Sequence, residues 1–255
     1  MPRRFLLLAP TTLLCILSVT ASAQHPENAN CKGLPGQQGL REAMRNAATN
    51  YGTIGGLFQG TRMWGAIVNR DGQVCALATA AADPSLVWPG SRAIAMAKAF
   101  TANAFSLSTS PVAGIAGFPL STAQLYTFSQ PGHSLFGLSQ SNPLNTDCLG
   151  KRPGGENRGS DRICGGIITF GGGVAIYQGG KIIGGLGVSG DTACADHEIA
   201  RNTRDELGFN PPGGATADDI SYSSEGGASV FTHPLCLNTY HNGVNLGDEL
   251  AATGY

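Results

Sequence analysis

The sequence predicts an α/β domain of the α+β kind: a single antiparallel sheet of about five strands flanked by helices. Three observations predict it. Apolar residues recur in the order helix, two strands, helix, three strands, helix. The links inside each strand group are only a few residues long, which requires antiparallel pairing. Strands come in groups rather than alternating one by one with helices, which argues against a parallel sheet.

The elements follow a leader. Arg3 and Arg4 precede an apolar run from Phe5 to Leu17, and the small residues Ala21-Ser22-Ala23 follow. This is a signal-peptide layout, so residues 1–23 are expected to be removed, leaving Gln24 first in a periplasmic or secreted protein. The apolar run is shorter than the roughly 20 residues a membrane-spanning helix needs, and no later segment reaches that length. Cys15 follows Leu14 rather than a small residue, which argues against lipoprotein processing.

After the leader, Leu40, Met44, Ala47, Ala48 and Tyr51 fall on one stripe at helical spacing, with Arg41, Glu42 and Arg45 off it. Met63 to Val68 and Gln73 to Thr79 are strand-like runs joined by Asn69-Arg70-Asp71-Gly72, a hairpin signal. Pro89-Gly90-Ser91 offers a break and a serine N-cap before an Ala-rich helix from Arg92 to Phe105, whose small residues allow close packing. Gly166 to Phe170, Val174 to Tyr177 and Ile182 to Ser189 read as three strands. Asp191 or Thr192 then caps a charged helix to about Leu207, with Ile199, Thr203 and Leu207 on its inner face. The expected organisation is therefore a domain over 24–207, with an inserted polar loop at 145–164, and an irregular C-terminal tail over 208–255.

The chain holds 16 Lys and Arg against 17 Asp and Glu. Losing Arg3 and Arg4 with the leader takes the net charge to near -3, which excludes a strongly basic nucleic-acid binder. Six cysteines remain: Cys31, Cys75, Cys148, Cys164, Cys194 and Cys236. An even number in an exported chain predicts up to three disulfides. Fifteen connectivities are open to six cysteines and the sequence does not choose among them; Cys148 with Cys164, closing a loop, and Cys194 with Cys236, pinning the tail, are the favoured pairs. A thiolate metal site would want a CxxC pair, which is absent.

From Ala99 to Thr146 there is no Asp, Glu, Lys or Arg. Burial, a ligand cleft or a subunit interface explains such a stretch better than a solvated surface does. Gly185-Leu186-Gly187-Val188-Ser189-Gly190 fits G-x-G-x-x-G between a strand and a helix, but hairpin-linked strands deny it the parallel context of a dinucleotide fold. Ser189 and Gly190 open the helix that follows, where free N–H groups can hold a ligand anion or be satisfied by an ordinary cap such as Asp191. The same stretch does not fit the hydrolase elbow, because Asp191 stands where its last glycine belongs.

Histidines are the candidate iron ligands, since the thiols are better read as disulfides. His133 lies in the turn-like Gln130-Pro131-Gly132-His133-Ser134-Leu135-Phe136 inside the charge-free stretch, placed to project over an apolar, aromatic cleft. His197 lies in the first turns of the last helix, where the dipole favours the neutral imidazole that metals bind. His233 and His241 fall in the tail and rank below them. Arg92 and Lys98 are the only charges of the second helix and can pair with ligand carboxylates, or else cap and snorkel.

Five blocks carry a family resemblance: Gly65-Ala66-Ile67-Val68-Asn69-Arg70-Asp71-Gly72, Ala95 to Ala102, Ser129 to Leu138, Gly171 to Ile176, and Ile183 to Gly190. In that order, over about Leu40 to Leu207, the chain resembles the GlcG/HbpS-like haem-binding family, which includes a C-terminal domain of some cobalamin adenosyltransferases. The resemblance implies an antiparallel sheet flanked by helices, homo-oligomerisation, and haem or iron binding in several members. It implies no reaction and no shared ligand residue, so His133 and His197 rest on their own chemistry.

Three readings stay open. The first is an exported, oligomeric haem binder serving uptake, buffering or sensing, with His133 or His197 on the iron and Arg92, Lys98 or the Ser189-Gly190 turn on the propionates. The second is a catalytic or accessory role on a small organic acid or corrinoid-type cofactor, although the sequence shows no competent acid, base and nucleophile set. The third is a structural oligomer whose uncharged stretch is an interface.

Overall fold

The computed structural model describes residues 31–109, 117–149 and 158–250. The leader at 1–23 lies outside the described residues. Helix α1 (Gln37–Asn50) buries Leu40, Met44 and Ala47 of the predicted stripe together with Ala43, while Ala48 and Tyr51 at its end stay partly exposed. Strands β1 (Trp64–Asn69) and β2 (Val74–Thr79) form the expected antiparallel hairpin. Its turn is closed by the Asn69 side chain, whose Oδ1 accepts from the Asp71 and Gln73 amides.

Helix α2 (Ser91–Phe105) follows. The predicted serine cap is displaced by one residue: Ser91 is the first helical residue and is buried, while Gly90 holds the cap position without a side-chain bond. A short helix α3 (Leu138–Ser141) and strand β3 (Arg158–Asp161) precede the second hairpin, β4 (Gly173–Gln178) and β5 (Lys181–Ser189). Helix α4 (Ala193–Glu206) is capped by Thr192, whose hydroxyl accepts from the Ala195 amide.

The five-stranded sheet has the order β3-β2-β1-β5-β4. Its four long strands are antiparallel throughout, and β3 adds a parallel edge through one pairing, Val74 with Ser160. The strand expected at Gly166 to Phe170 does not form. Gly165 and Gly166 both have positive φ, 68° and 84°, which breaks the extended run. The Ile168 amide then bonds the Thr101 hydroxyl of α2 rather than a neighbouring strand.

The sheet is covered on both faces. Leu40, Met44, Ile67, Leu186, Val188 and Ile199 join α1 and α4 to one face, while Ala66, Val68, Leu77, Ala95, Met96 and Ala99 join α2 to the other. On the α2 side the helix backbone lies directly on β5. A Cβ at Gly185 would collide with the Ala99 carbonyl, and one at Gly187 with the Ala95 carbonyl. The glycines that imitate a dinucleotide fingerprint therefore serve helix-on-strand packing.

Beyond Gly208 the chain returns over the start of α4. It forms a one-turn helix, α5 (Ser223–Gly226), and a small two-stranded sheet of β6 (Thr239–His241) and β7 (Val244–Gly247). Three disulfides close: Cys31 with Cys75, Cys148 with Cys164, and Cys194 with Cys236. The last two are the favoured pairs, and Cys31 with Cys75 completes the set. Among the described residues no helix is long and apolar enough to cross a membrane.

Candidate functional site

The turn from β5 into α4 is an anion hole, and the chain fills it. Gly190 N and Asp191 N both donate to Asp196 Oδ1, at 3.0 and 2.9 Å. Asp196 Oδ2 meets Lys98 Nζ at 2.6 Å, and that ammonium also donates to the Val188 carbonyl. Both side chains are fully buried, with the Lys98 ammonium over the Phe170 ring. Burial pushes the Lys98 ammonium below the usual lysine range and the Asp196 carboxyl up to about 6, while each partner's charge pulls the other back. Asp191 points the other way and accepts from the Leu57 and Phe58 amides, tying the 51–62 connection to the start of α4.

The histidines divide sharply. His133 is exposed on the turn between Gln130 and Phe136, which is held by the backbone bonds His133 N to Gln130 O and Phe136 N to His133 O. Among the described residues its imidazole has no hydrogen-bond or ion-pair partner. The turn folds back so that Leu135 N donates to Phe128 O, and the Phe128 ring packs edge-on against Phe231 at 5.6 Å. Phe136, Val230 and Phe231 are exposed beside these contacts. This loop lies in the uncharged stretch, whose earlier part is explained by burial: Ala99, Thr101, Ala102 and Ser106 pack inside.

His197 is fully buried on α4, and its Nε2 accepts the Ile220 amide at 3.1 Å beneath the returning chain. His233 is buried against the Tyr126 ring, with Nε2 accepting from Gly171 N and Nδ1 facing Pro234 O at 2.7 Å. That burial pushes its pKa down to about 4. His241 sits between carboxylates: Nδ1 meets Glu225 at 2.8 Å and Nε2 meets Asp219 Oδ2 at 3.3 Å. Burial works against its charge, but the hydrogen bonds to Asp219 and Glu225 outweigh it and raise the pKa to about 9. Arg92 donates to the Cys148 carbonyl and lies 6.0 Å from the Trp64 ring. Of the six residues singled out from the sequence, Lys98, Ser189 and Gly190 meet at the β5–α4 turn, His197 lies further along α4, and His133 and Arg92 stand apart.

Two groups of residues carry no sequence motif. Glu198, Arg201, Asp219, Glu225 and His241 form a charged cluster between α4 and the returning chain. Arg204 and Asp218 form a fully buried bidentate pair at 2.8 and 2.6 Å. The one available signal was the run of charges on α4, too dense for a helix with a single wet face.

Residues 42–205 match the family described as haem degrading protein HbpS-like. Among curated proteins nothing matches the chain. Similar solved structures include the PduOC:haem complex, 23% identical over 66% of this chain and 89% of that one, with a TM-score of 0.44. The Klebsiella pneumoniae protein ORFY is 21% identical over 69% and 95%, also at 0.44. A double mutant of Streptomyces reticuli HbpS is 17% identical over 67% and 84%, at 0.40.

Proposed function

Because the chain belongs to the HbpS-like family, we propose that it is an exported haem-binding protein whose iron ligand is His133. A haem iron accepts an imidazole nitrogen as axial ligand and leaves the porphyrin faces to apolar contacts. One observation carries the assignment: among the described histidines only His133 is exposed with both ring nitrogens unengaged, on an uncharged loop that also presents Phe136. His197, the other residue singled out from the sequence, has its Nε2 occupied by the Ile220 amide, so the proposal rests on His133. Lys98 is held by Asp196 and Arg92 donates to the Cys148 carbonyl, so neither is assigned to the propionates.

The test is a haem titration followed by absorbance. A sharp Soret band that His133→Ala shifts or abolishes, and His197→Gln leaves in place, supports the assignment. A spectrum unchanged by His133→Ala overturns it.

Export is supported by the leader and by three disulfides, which persist in oxidising compartments. A mature N-terminus at Gln24 is the expected sequencing result. Homo-oligomerisation is supported by Leu57, Leu86 and Trp88, each about half exposed. Light scattering of a clean monomer would remove that part of the reading.

A second reading, binding of a small organic acid, draws on a cleft lined by Arg41, Arg45, Thr79, Ala81, Ala82 and Pro84. Arg41 and Arg45 line it, their Nε atoms donating to the Thr79 and Ala80 carbonyls, and a positive wall of this kind attracts a carboxylate. Mass spectrometry of co-purified ligands separates the two: an organic acid without tetrapyrrole favours the cleft.

A further inference from the structure

The cluster between α4 and the returning chain has the parts of a metal site. Glu198 on α4, Asp219, and His241 on β6 each offer a ligand atom, and the three atoms lie within 4.8 Å of one another. Arg201 takes one oxygen from each carboxylate, Glu198 Oε2 at 3.0 Å and Asp219 Oδ1 at 3.4 Å. The other oxygen of each faces the same nitrogen: Asp219 Oδ2 is 3.3 Å and Glu198 Oε1 is 3.9 Å from His241 Nε2.

Glu198 is 2% exposed, and its Oε1 has no hydrogen-bond partner. A buried carboxylate oxygen left in that state is costly, and a cation removes the cost. The Tyr222 hydroxyl is likewise buried without a partner, and its ring packs edge-on against His241 at 5.6 Å. On the far side of the imidazole, Glu225 holds Nδ1 at 2.8 Å. A carboxylate on Nδ1 fixes the proton there, so that a metal displaces only the Nε2 proton that otherwise faces Asp219. Three carboxylates thus surround one guanidinium and one imidazole; Asp219 Oδ2 and His241 Nε2, at 3.3 Å, stand near the roughly 3.4 Å separation that bonds of about 2 Å impose in a tetrahedral site, and Glu198 Oε1, at 3.9 Å, is the donor that closes in on the ion.

We propose that Glu198, Asp219 and His241 bind one first-row divalent cation of the Zn2+ or Mn2+ class, with Glu225 orienting the imidazole. One nitrogen and two carboxylates suit such ions better than Ca2+, which takes oxygen alone, or copper(I), which prefers sulfur. Asp219 and His241 lie beyond the matched family segment, which ends at residue 205. Two of the three ligands are therefore contributed by the segment beyond the family match, and the site is independent of the haem reading. Its consequence is mechanical: the ion ties the 219–241 segment to α4 over His197.

Calorimetric titration of the chelator-stripped full-length protein with ZnCl2, and separately with MnCl2, tests it in the absence of haem. One equivalent is expected for the wild type with at least one of the two ions. Glu198→Gln and His241→Gln should each weaken that binding tenfold or more, and His133→Ala should leave it unchanged. A rise in melting temperature on adding the ion to wild type, absent in His241→Gln, gives a readout free of folding artefacts. No stoichiometric binding to the wild type, or less than a tenfold loss in both folded variants, overturns the proposal.

Discussion

The loop at 126–142 and the returning segment at 209–250 are both rich in turns and both lie outside the main sheet, yet they treat their histidines in opposite ways. The loop carries no charge, pins itself with short backbone bonds, and leaves His133 in solvent. The returning segment brings Asp218, Asp219 and Glu225 against the charged side of α4 and engages every imidazole it reaches. His197 accepts a backbone amide, His233 is sandwiched between Gly171 and Pro234, and His241 lies between two carboxylates. Availability for a ligand is set by what the rest of the chain does with the nitrogen, and charge-poor sequence leaves it alone.

The largest effect that should sharpen this contrast is on the buried pair joining the returning segment to α4. Arg204→Met leaves Asp218 charged in a site with no exposure. We expect a loss of about 3–5 kcal/mol in urea denaturation; a loss under about 1 kcal/mol would mean that the segment is not held by charge. Next come the disulfides. Cys236→Ser opens a link spanning 42 residues and Cys148→Ser one spanning 16. Each should cost on the order of 2–4 kcal/mol, the former more because its loop is longer. Calorimetric melting that ranks them the other way would break the contrast.

A third test uses pH. His233 is depressed to about 4 in the fold from an ordinary 6.5. The unfolded chain therefore binds the extra proton between those values, and stability present above pH 6.5 is lost as pH falls toward 4. The loss should be on the order of 1–3 kcal/mol, and His233→Gln should flatten that part of the pH–stability curve; an unchanged slope would remove His233 from the account. The smallest effect belongs to the loop: His133→Ala should stay within about 0.5 kcal/mol of wild type while losing the proposed haem spectrum.

Much of the fold was legible because periodicity reports which face of an element is buried. Leu40, Met44 and Ala47 on α1, the hairpin around Asn69 to Gly72, and Ile199 on α4 all stand where spacing puts them. Two disulfides are the pairs the sequence favours, while the third, Cys31 with Cys75, comes from the fold. The run Gly166 to Phe170 misled because its residues favour a strand, while the positive φ at Gly165 and Gly166 and the Thr101 hydroxyl take its backbone elsewhere. Of the site, the sequence offers the Ser189-Gly190 turn either a ligand anion or a cap by Asp191; the turn holds the chain's own Asp196 instead, and Asp191 accepts from the Leu57 and Phe58 amides. The Glu198–Asp219–His241 cluster was not legible, since its members are 21 and 22 residues apart along the chain and share no pattern.

By itself, then, the sequence determined the antiparallel α+β architecture and the family, because these depend on hydrophobic periodicity and short-range blocks. Tertiary structure alone decided which histidine stays free, which carboxylate fills the β5–α4 turn, and which charges meet across α4 and the returning chain. Those outcomes depend on desolvation and on distances between segments far apart in sequence, where a few ångströms decide whether a nitrogen is a ligand, an acceptor or one half of an ion pair.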